Sequence, residues 1–178
     1  VLDRTFNYNT RRAKELLELF LEYHPDIRFH LEIHPALLSE ELKEELKHLP
    51  EGLLHLEAGI QSLREPVLEK SRRMGKLTDA LEFLCSLPNF ETHADLIAGL
   101  PLYHLSEIFE DIRVLAAYGA GEIQLESLKL LPGTEMRRRA EELGIQYSPL
   151  PPYEVLQTRE INVSELQTAR QLSRLLDG

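Results

Sequence analysis

Cysteine is nearly absent from the sequence: Cys85 is the only one among 178 residues. A single thiol excludes an intrachain disulfide and any metal centre built from several cysteines of this chain. Tryptophan is absent, and basic residues are scarce, with 20 Lys and Arg against 30 Asp and Glu and a net charge of −10. Because an acidic chain is repelled by nucleic-acid phosphates and anionic lipid surfaces, we expect no nucleic-acid and no membrane partner.

Long apolar runs are also missing. No stretch reaches the roughly 18 apolar residues of a membrane span, and no signal peptide is visible. Together with the single cysteine, this predicts a cytoplasmic protein. The first residue is Val1 rather than methionine, which suggests a piece cut from a longer protein.

What the chain does contain is a regular alternation of strand-like and helix-like segments, with 43% apolar residues. The order is βαβαβαβαβα followed by a tail, which predicts a parallel sheet covered by helices. Predicted strands cover about residues 1–6, 28–33, 53–60, 92–98 and 122–130, with an extended segment at 153–161. Predicted helices cover about 11–23, 40–49, 65–72, 77–87, 106–118, 134–143 and 164–176.

One face of at least three predicted strands is polar. A doubly wound sheet buries both strand faces, so polar rows favour a (β/α) barrel with an interior lining. A complete barrel needs about 250 residues. We therefore predict an α/β fold, an open and partial TIM-like barrel of about five to six parallel strands, over residues 1–144. Residues 145–178 are predicted to be an extension with a helix packed on the same domain. The strand at Val1 would be a free edge, over which the chain could form a homodimer.

The chain is organised around residues 92–101, a strand that runs into a Gly-Leu-Pro turn. His93, Asp95, Ile97 and Gly99 point one way, and Thr92, Ala94, Leu96 and Ala98 the other, because side chains alternate along a strand. Two earlier strands repeat the His-x-acid pattern.

These pairs are His30/Glu32, His55/Glu57 and His93/Asp95. They could bind a divalent metal, line a substrate cavity or simply face solvent. No pair has the spacing of a helical HExxH site, so we favour the substrate-facing lining and assign no metal ligand. The Arg72-Arg73 pair could clamp a carboxylate, but solvated surface charge is the simpler interpretation.

In order along the chain, these segments resemble the radical S-adenosylmethionine (SAM) superfamily. The closest likeness is to its B12-binding-type branch of Fe-S oxidoreductases, with similarity to oxygen-independent coproporphyrinogen oxidases. The segments that carry it are Asp3-Arg4-Thr5-Phe6-Asn7, Leu31-Glu32-Ile33-His34-Pro35, Glu57-Ala58-Gly59-Ile60-Gln61-Ser62, Arg73, Asp95–Pro101 and Leu128–Thr134.

The resemblance implies a partial (β/α)6 barrel in which a [4Fe-4S] cluster cleaves SAM to a 5′-deoxyadenosyl radical; cobalamin is a further cofactor in the B12-binding branch. It places Asp3, Phe6 and Asn7 near the SAM amino group. It also places Glu32 near the methionine, Gln61, Ser62 and Asp95 near the ribose, Arg73 on the carboxylate, and Ile97, Gly99, Leu100 and Pro101 around the adenine.

The chain departs from the family at the Cys-x-x-x-Cys-x-x-Cys loop, which is absent and which Cys85 cannot replace. Because thiolates hold such clusters, we predict that this chain alone neither binds the cluster nor cleaves SAM, and that only a longer parent is active. Two alternatives stay open: a non-redox (β/α)-barrel enzyme with a His/Glu-lined, metal-dependent site, and a binding module without chemistry. No residue is assigned as catalytic, and no small-molecule substrate is indicated.

Overall fold

The computed structural model of the chain describes residues 1–72 and 77–176, and within them the strands form two sheets. The larger sheet is parallel, with four strands in the order β1-β2-β3-β4. The smaller sheet pairs β5 with β6 in antiparallel fashion. The strands are β1 (Phe29–Ile33), β2 (Leu54–Gln61), β3 (Thr92–Ala98), β4 (Glu122–Ser127), β5 (Gln146–Tyr147) and β6 (Val155–Gln157).

Helices follow each of the four parallel strands, as in a (β/α) barrel, so the predicted fold class is confirmed. Among the described residues, no helix combines the length and the apolar character that crossing a bilayer requires. The helices are α1 (Thr10–Leu21), α2 (Glu40–His48), α3 (Glu65–Lys70), α4 (Thr78–Ser86), α5 (Leu105–Tyr118), α6 (Glu135–Arg138), α7 (Ala140–Leu143) and α8 (Val163–Leu176).

Side-chain caps decide where several helices begin. The Ser39 hydroxyl accepts from the backbone N–H of Leu42 at α2, and Thr134 plays the same part at α6. At α1 the cap is Asn9, whose side-chain oxygen accepts from the backbone N–H of Arg12. Each such cap satisfies a backbone N–H group that the helix itself leaves unpaired.

The predicted alternation along the strands is observed. On β2 every second residue is buried, from Leu54 to Ile60, while the residues between them are half-exposed. The parallel register sets His30 opposite His55 and Glu32 opposite Glu57. Equivalent positions of β1 and β2 therefore form common polar rows, because side chains on one face recur every second residue.

One sequence-based expectation about strands was wrong. Residues 1–5 form no strand; the Val1 ammonium donates a hydrogen bond to the His30 carbonyl, at 3.1 Å. The extended segment predicted at 153–161 is observed in part as β6, which pairs antiparallel with β5 and so adds no strand to the parallel sheet. The parallel sheet of the described residues therefore has four strands instead of five or six, and the order leaves β1 at its edge. The homodimer over an exposed edge stays a prediction.

The described residues divide into two compact units. Of the described residues, the first unit comprises 1–60, 77–94 and 115–122, and the second comprises 61–72, 95–114 and 123–176. The extension from residue 145 onward thus falls in the same unit as the residues just before it. The predicted domain boundary at residue 144 stays a prediction.

Candidate functional site

Residues 3–7 of the first unit form a turn in which the side chains of Asp3 and Asn7 are hydrogen-bonded within the protein. The Asp3 carboxylate accepts from the Thr5 backbone N–H at 3.1 Å and from Arg12 Nη1 at 2.8 Å. These two contacts, the backbone one being the larger, hold the pKa of Asp3 below its usual value. A carboxylate held ionised in this way has the charge that an ammonium group would need.

Asn7 is 1% exposed, and both ends of its amide are occupied. Its nitrogen donates to the His34 carbonyl at 2.9 Å, and its oxygen accepts from the His34 backbone N–H at 2.9 Å. This double hydrogen bond clamps the turn to the residue that follows β1. Phe6 is equally buried and stacks on Phe20 at 6.1 Å, so it contributes to the core.

A row of imidazoles and carboxylates lies on the first unit, which we call the histidine cluster: His30, His55, Glu57, His93 and Glu122. The rings of His30 and His55 lie 4.7 Å apart, and those of His55 and His93 5.8 Å apart. His30 Nε2 lies 2.6 Å from Glu57 Oε2, and His93 Nδ1 lies 3.6 Å from Glu122 Oε2. Burial, and then the nearby His30, Arg28 and His93, lower the pKa of His55.

Glu32, the acidic residue of β1, is exposed. It lies opposite Glu57 in the register, two residues further along the strand than His30. Its carboxylate is therefore accessible to a ligand at the carboxyl end of β1.

In the second unit, a buried network surrounds Asp111, which is 1% exposed. We call Ser62, Arg64, Tyr103 and Asp111 the Asp111 cluster. Asp111 Oδ2 accepts from the Tyr103 hydroxyl at 2.6 Å, from the Leu63 backbone N–H at 2.9 Å and from Ser62 Oγ at 3.3 Å. Asp111 Oδ1 accepts from Arg64 Nε at 2.8 Å. Every oxygen of this carboxylate is thus engaged within the protein.

The Asp111 cluster holds the turn that follows β2. Ser62 is 0% exposed, and its hydroxyl also accepts from the Arg64 backbone N–H at 3.0 Å. The contact of Ser62 with a ribose stays a prediction, since in this structure its hydroxyl serves the turn. Gln61, just before it, is half-exposed and has φ of +70°, a backbone conformation that L-residues rarely adopt.

Tyr103 is fully buried beside the Asp111 carboxylate. Burial first, and then the negative charge of Asp111, raise the pKa of its hydroxyl far above the usual value. The hydroxyl therefore stays protonated and works as a hydrogen-bond donor to Asp111.

Along β3 the second unit carries a half-exposed row. Asp95 and Ile97 are half-exposed, while Leu96 and Ala98 beside them are buried. The strand ends at Gly99, whose φ of +94° suits glycine.

The Gly99-Leu100-Pro101 turn itself is buried. A Cβ on Gly99 would lie 3.4 Å from Val155 Cγ1 and 3.5 Å from Leu128 Cβ. A side chain here would therefore be in van der Waals contact with Val155 of β6 and with Leu128, the residue after β4. Contacts of this turn with an adenine stay predictions.

Arg73, predicted to pair with a carboxylate, lies outside the described residues. Its neighbour Arg72 forms an ion pair with Glu135. Arg72 thus has a protein carboxylate as its partner, and the pairing of Arg73 with a ligand carboxylate stays a prediction.

Sequence reasoning missed two residues that the structure makes prominent. Asp111 lies three residues after Ile108 and four before Leu115, both fully buried, so an acidic residue on the apolar stripe of α5 was the available signal. Glu122 is two residues before Gln124 and lies on the same face of β4 as Gln124 and Glu126. The alternation of the sequence along β4 could have indicated this position.

The residues of this chain do not fit an iron–sulfur cluster. Such clusters are held by several thiolates, and the chain offers Cys85 alone. Cys85 is half-buried, and burial raises the pKa of its thiol, which disfavours the thiolate that iron binds.

No protein-family model and no curated protein sequence matches the chain. Solved structures do. The radical SAM methyltransferase TsrM from Kitasatospora setae, with its tryptophan substrate and the SAM analogue aza-SAM, superposes with a TM-score of 0.67 at 21% identity, over 96% of this chain and 36% of that one. A second TsrM structure, with cobalamin and a [4Fe-4S] cluster, gives a TM-score of 0.66, also at 21% identity over 96% of this chain and 36% of that one. Coproporphyrinogen III oxidase from Escherichia coli, a radical SAM enzyme, gives 0.56 at 17% identity, over 78% of this chain and 38% of that one.

At these identities the likeness establishes the fold. The chain has the fold of the radical SAM barrel and spans about a third of the length of the TsrM enzyme. The resemblance predicted from the sequence is therefore confirmed at the level of the fold.

Proposed function

We propose that this chain is part of the core barrel of a radical SAM enzyme and that its second unit supplies one wall of a SAM-binding site. In such enzymes a [4Fe-4S] cluster and SAM together supply a 5′-deoxyadenosyl radical. Since this chain has one cysteine, we propose that the cluster ligands belong to a longer parent protein, an oxidoreductase-type enzyme of the cytoplasm. Cobalamin use by that parent stays a prediction of the family resemblance.

The observation that carries this proposal is the half-exposed row at the end of β3. Asp95 and Ile97 set a carboxylate beside an apolar side chain, between buried residues of the same strand. A nucleoside is complementary to this pair of side chains. Its ribose hydroxyls can donate hydrogen bonds to a carboxylate, and its base can pack on an apolar surface. Gln61, which is half-exposed at the end of β2, adds an amide of the second unit that can donate and accept.

In this proposal the chain's residues bind and orient, and they do not transfer electrons. Asp95 accepts hydrogen bonds from the ribose, Ile97 packs on the base, and the Asp111 cluster holds the turn that carries Gln61. The contributions of Asp3, Asn7 and Glu32 in the first unit stay predictions of the resemblance.

The test is a titration of isotopically labelled chain with SAM, followed by two-dimensional NMR. Without the cluster we expect weak binding, with a dissociation constant of about 1 mM or higher, and shifts concentrated at Asp95, Ile97 and Gln61. Asp95→Asn should weaken binding roughly tenfold, because it removes a charge-assisted hydrogen bond. Asp26→Asn is the matched control, since Asp26 is exposed in the loop after α1.

Two results would contradict the proposal. One is the absence of shifts at Asp95 and Ile97 up to the solubility limit of SAM. The other is equal binding by the wild type and Asp95→Asn. A stoichiometric cluster formed on this chain after reconstitution with iron and sulfide would overturn the assignment of the cluster ligands to a longer parent.

A further inference from the structure

Three side chains of the first unit converge on one point. His55 on β2, His93 on β3 and Glu122 on β4 each offer one ligand atom, and these atoms all lie within 4.8 Å of one another. The three residues occupy the first or second position of their strands. They therefore lie at the amino-terminal ends, whereas Gly99 and Gln61 mark the carboxyl ends of β3 and β2.

We propose that His55, His93 and Glu122 form a binding site for a divalent transition metal of the zinc type, with an open coordination position. Two imidazole nitrogens and one carboxylate oxygen are a ligand set that zinc takes in proteins, with solvent in the fourth position. Calcium and magnesium prefer sites built from oxygen alone. The site is independent of the SAM-binding proposal, since it uses none of those residues.

The ligand atoms must move together, from separations of up to 4.8 Å, to accept the ion. Zinc bonds of about 2.0–2.2 Å to nitrogen and oxygen set tetrahedral ligand atoms roughly 3.4 Å apart. The pair His93 Nδ1 and Glu122 Oε2 is already at 3.6 Å. Glu122 is exposed, so its side chain can turn without disturbing the core.

The backbone fixes the two imidazoles more firmly than the carboxylate. His55 is flanked by the buried Leu54 and Leu56, and His93 is itself buried. A site with two fixed ligands and one adjustable ligand loses little side-chain freedom when it binds an ion. The neighbouring His30 is held apart from the three by its own contact with Glu57, at 2.6 Å.

A competing cation stands beside the site. Arg28 Nη2 lies 3.4 Å from His55 Nδ1, and a guanidinium can only donate, so this nitrogen of His55 accepts. A metal ion bound at this nitrogen would take the same lone pair, and one bound at Nε2 would still meet the charge of the guanidinium. Arg28 has a second partner in Glu91 Oε2, at 3.6 Å, and its side chain is 50% exposed, so it can move aside.

The test is titration of the metal-free chain with zinc chloride by calorimetry, and with cobalt chloride by visible absorption. We expect one ion per chain, cobalt bands of low coordination number and no competition from magnesium. Glu122→Gln and His55→Ala should each weaken zinc binding by about 100-fold or more, since each removes a direct ligand. His48→Ala, on the exposed face of α2, is the matched control and should leave the affinity unchanged.

Arg28→Ala provides a second, opposite readout. It removes the competing charge, so zinc should bind several-fold more tightly, a result that loss of folding cannot imitate. The proposal is overturned if the wild-type chain binds no zinc, if His48→Ala weakens binding as much as His55→Ala, or if Glu122→Gln and His55→Ala leave binding intact. Circular dichroism of each variant separates loss of a ligand from loss of structure.

Discussion

The Asp111 cluster and the histidine cluster are both polar, but their members satisfy one another to different degrees. The Asp111 carboxylate is buried and accepts from four donors, on Tyr103, Leu63, Ser62 and Arg64. The histidine cluster is partly open to solvent, and the ligand atoms of His55, His93 and Glu122 are spread over as much as 4.8 Å.

This difference in burial indicates that the two clusters have different roles, one in stability and one in binding. A buried carboxylate is tolerated only when its hydrogen bonds are complete, so the Asp111 cluster leaves no capacity for a ligand. The histidine cluster includes the solvent-exposed His30 and Glu122, which a ligand can reach. We therefore expect substitutions in the first cluster to change stability and substitutions in the second to change binding.

The largest effect is expected from Asp111→Ala. It leaves the Arg64 guanidinium and the Tyr103 hydroxyl without their buried acceptor, and breaking a buried charge pair in this way costs about 3–5 kcal/mol. Urea unfolding followed by circular dichroism measures the loss. Glu110→Gln is the control: it removes the exposed partner of the same arginine, at 2.7 Å, and should cost less than about 1 kcal/mol. Equal losses for the two variants would break the comparison.

Tyr103→Phe should have a smaller effect. It removes one hydrogen bond to a charged acceptor, worth about 1.5–3 kcal/mol, and leaves the ring's packing in place. The loss should appear as a lower urea midpoint with an unchanged slope.

The same variant carries a pH prediction. The pKa of Tyr103 is raised in the folded chain, first by burial and then by Asp111. The unfolded chain can release this proton above about pH 10, whereas the folded chain cannot. The contribution of Tyr103 is therefore complete below pH 10 and declines as the pH rises above it. The stability difference between the wild type and Tyr103→Phe should narrow in that range; a constant difference would contradict the assignment.

The smallest effect is expected from Glu57→Gln in the histidine cluster. The contact between His30 and Glu57 is partly exposed, and such pairs contribute about 0–1 kcal/mol. Urea unfolding should place this variant within that range of the wild type. A loss as large as that of Asp111→Ala would mean that the histidine cluster stabilises the fold.

The fold was largely predictable because its determinants are local. The two rows of β2 and β3 follow from alternation, and the stripes of α4 and α5 from helical spacing. Ser39 and Thr134 begin helices and Gly144 ends one, and such caps depend on a few neighbouring residues. The error fell at the chain start, where Asp3 and Asn7 are held by contacts with Arg12 and His34, which lie outside the segment.

The candidate sites were less predictable because they join residues far apart in sequence. Ser62 and Asp111 are 49 residues apart, and nothing near Ser62 indicates that its hydroxyl is buried against a carboxylate. Gly99 lies close to Val155, which is 56 residues further along the chain, and nothing near Gly99 in the sequence indicates that contact. The sequence alone could not indicate which of these polar and glycine positions contact other parts of the protein.

By itself the sequence determined the alternation of the four parallel strands with helices, the polar face of the sheet and the lack of cysteines for a cluster. Periodicity and composition carry that information within short windows. Only the tertiary structure decided which polar residues are buried with protein hydrogen-bond partners and which stay accessible to solvent. The reason is physical: the desolvation of Asp111 and the convergence of His55, His93 and Glu122 depend on packing between strands and helices, which no local pattern records.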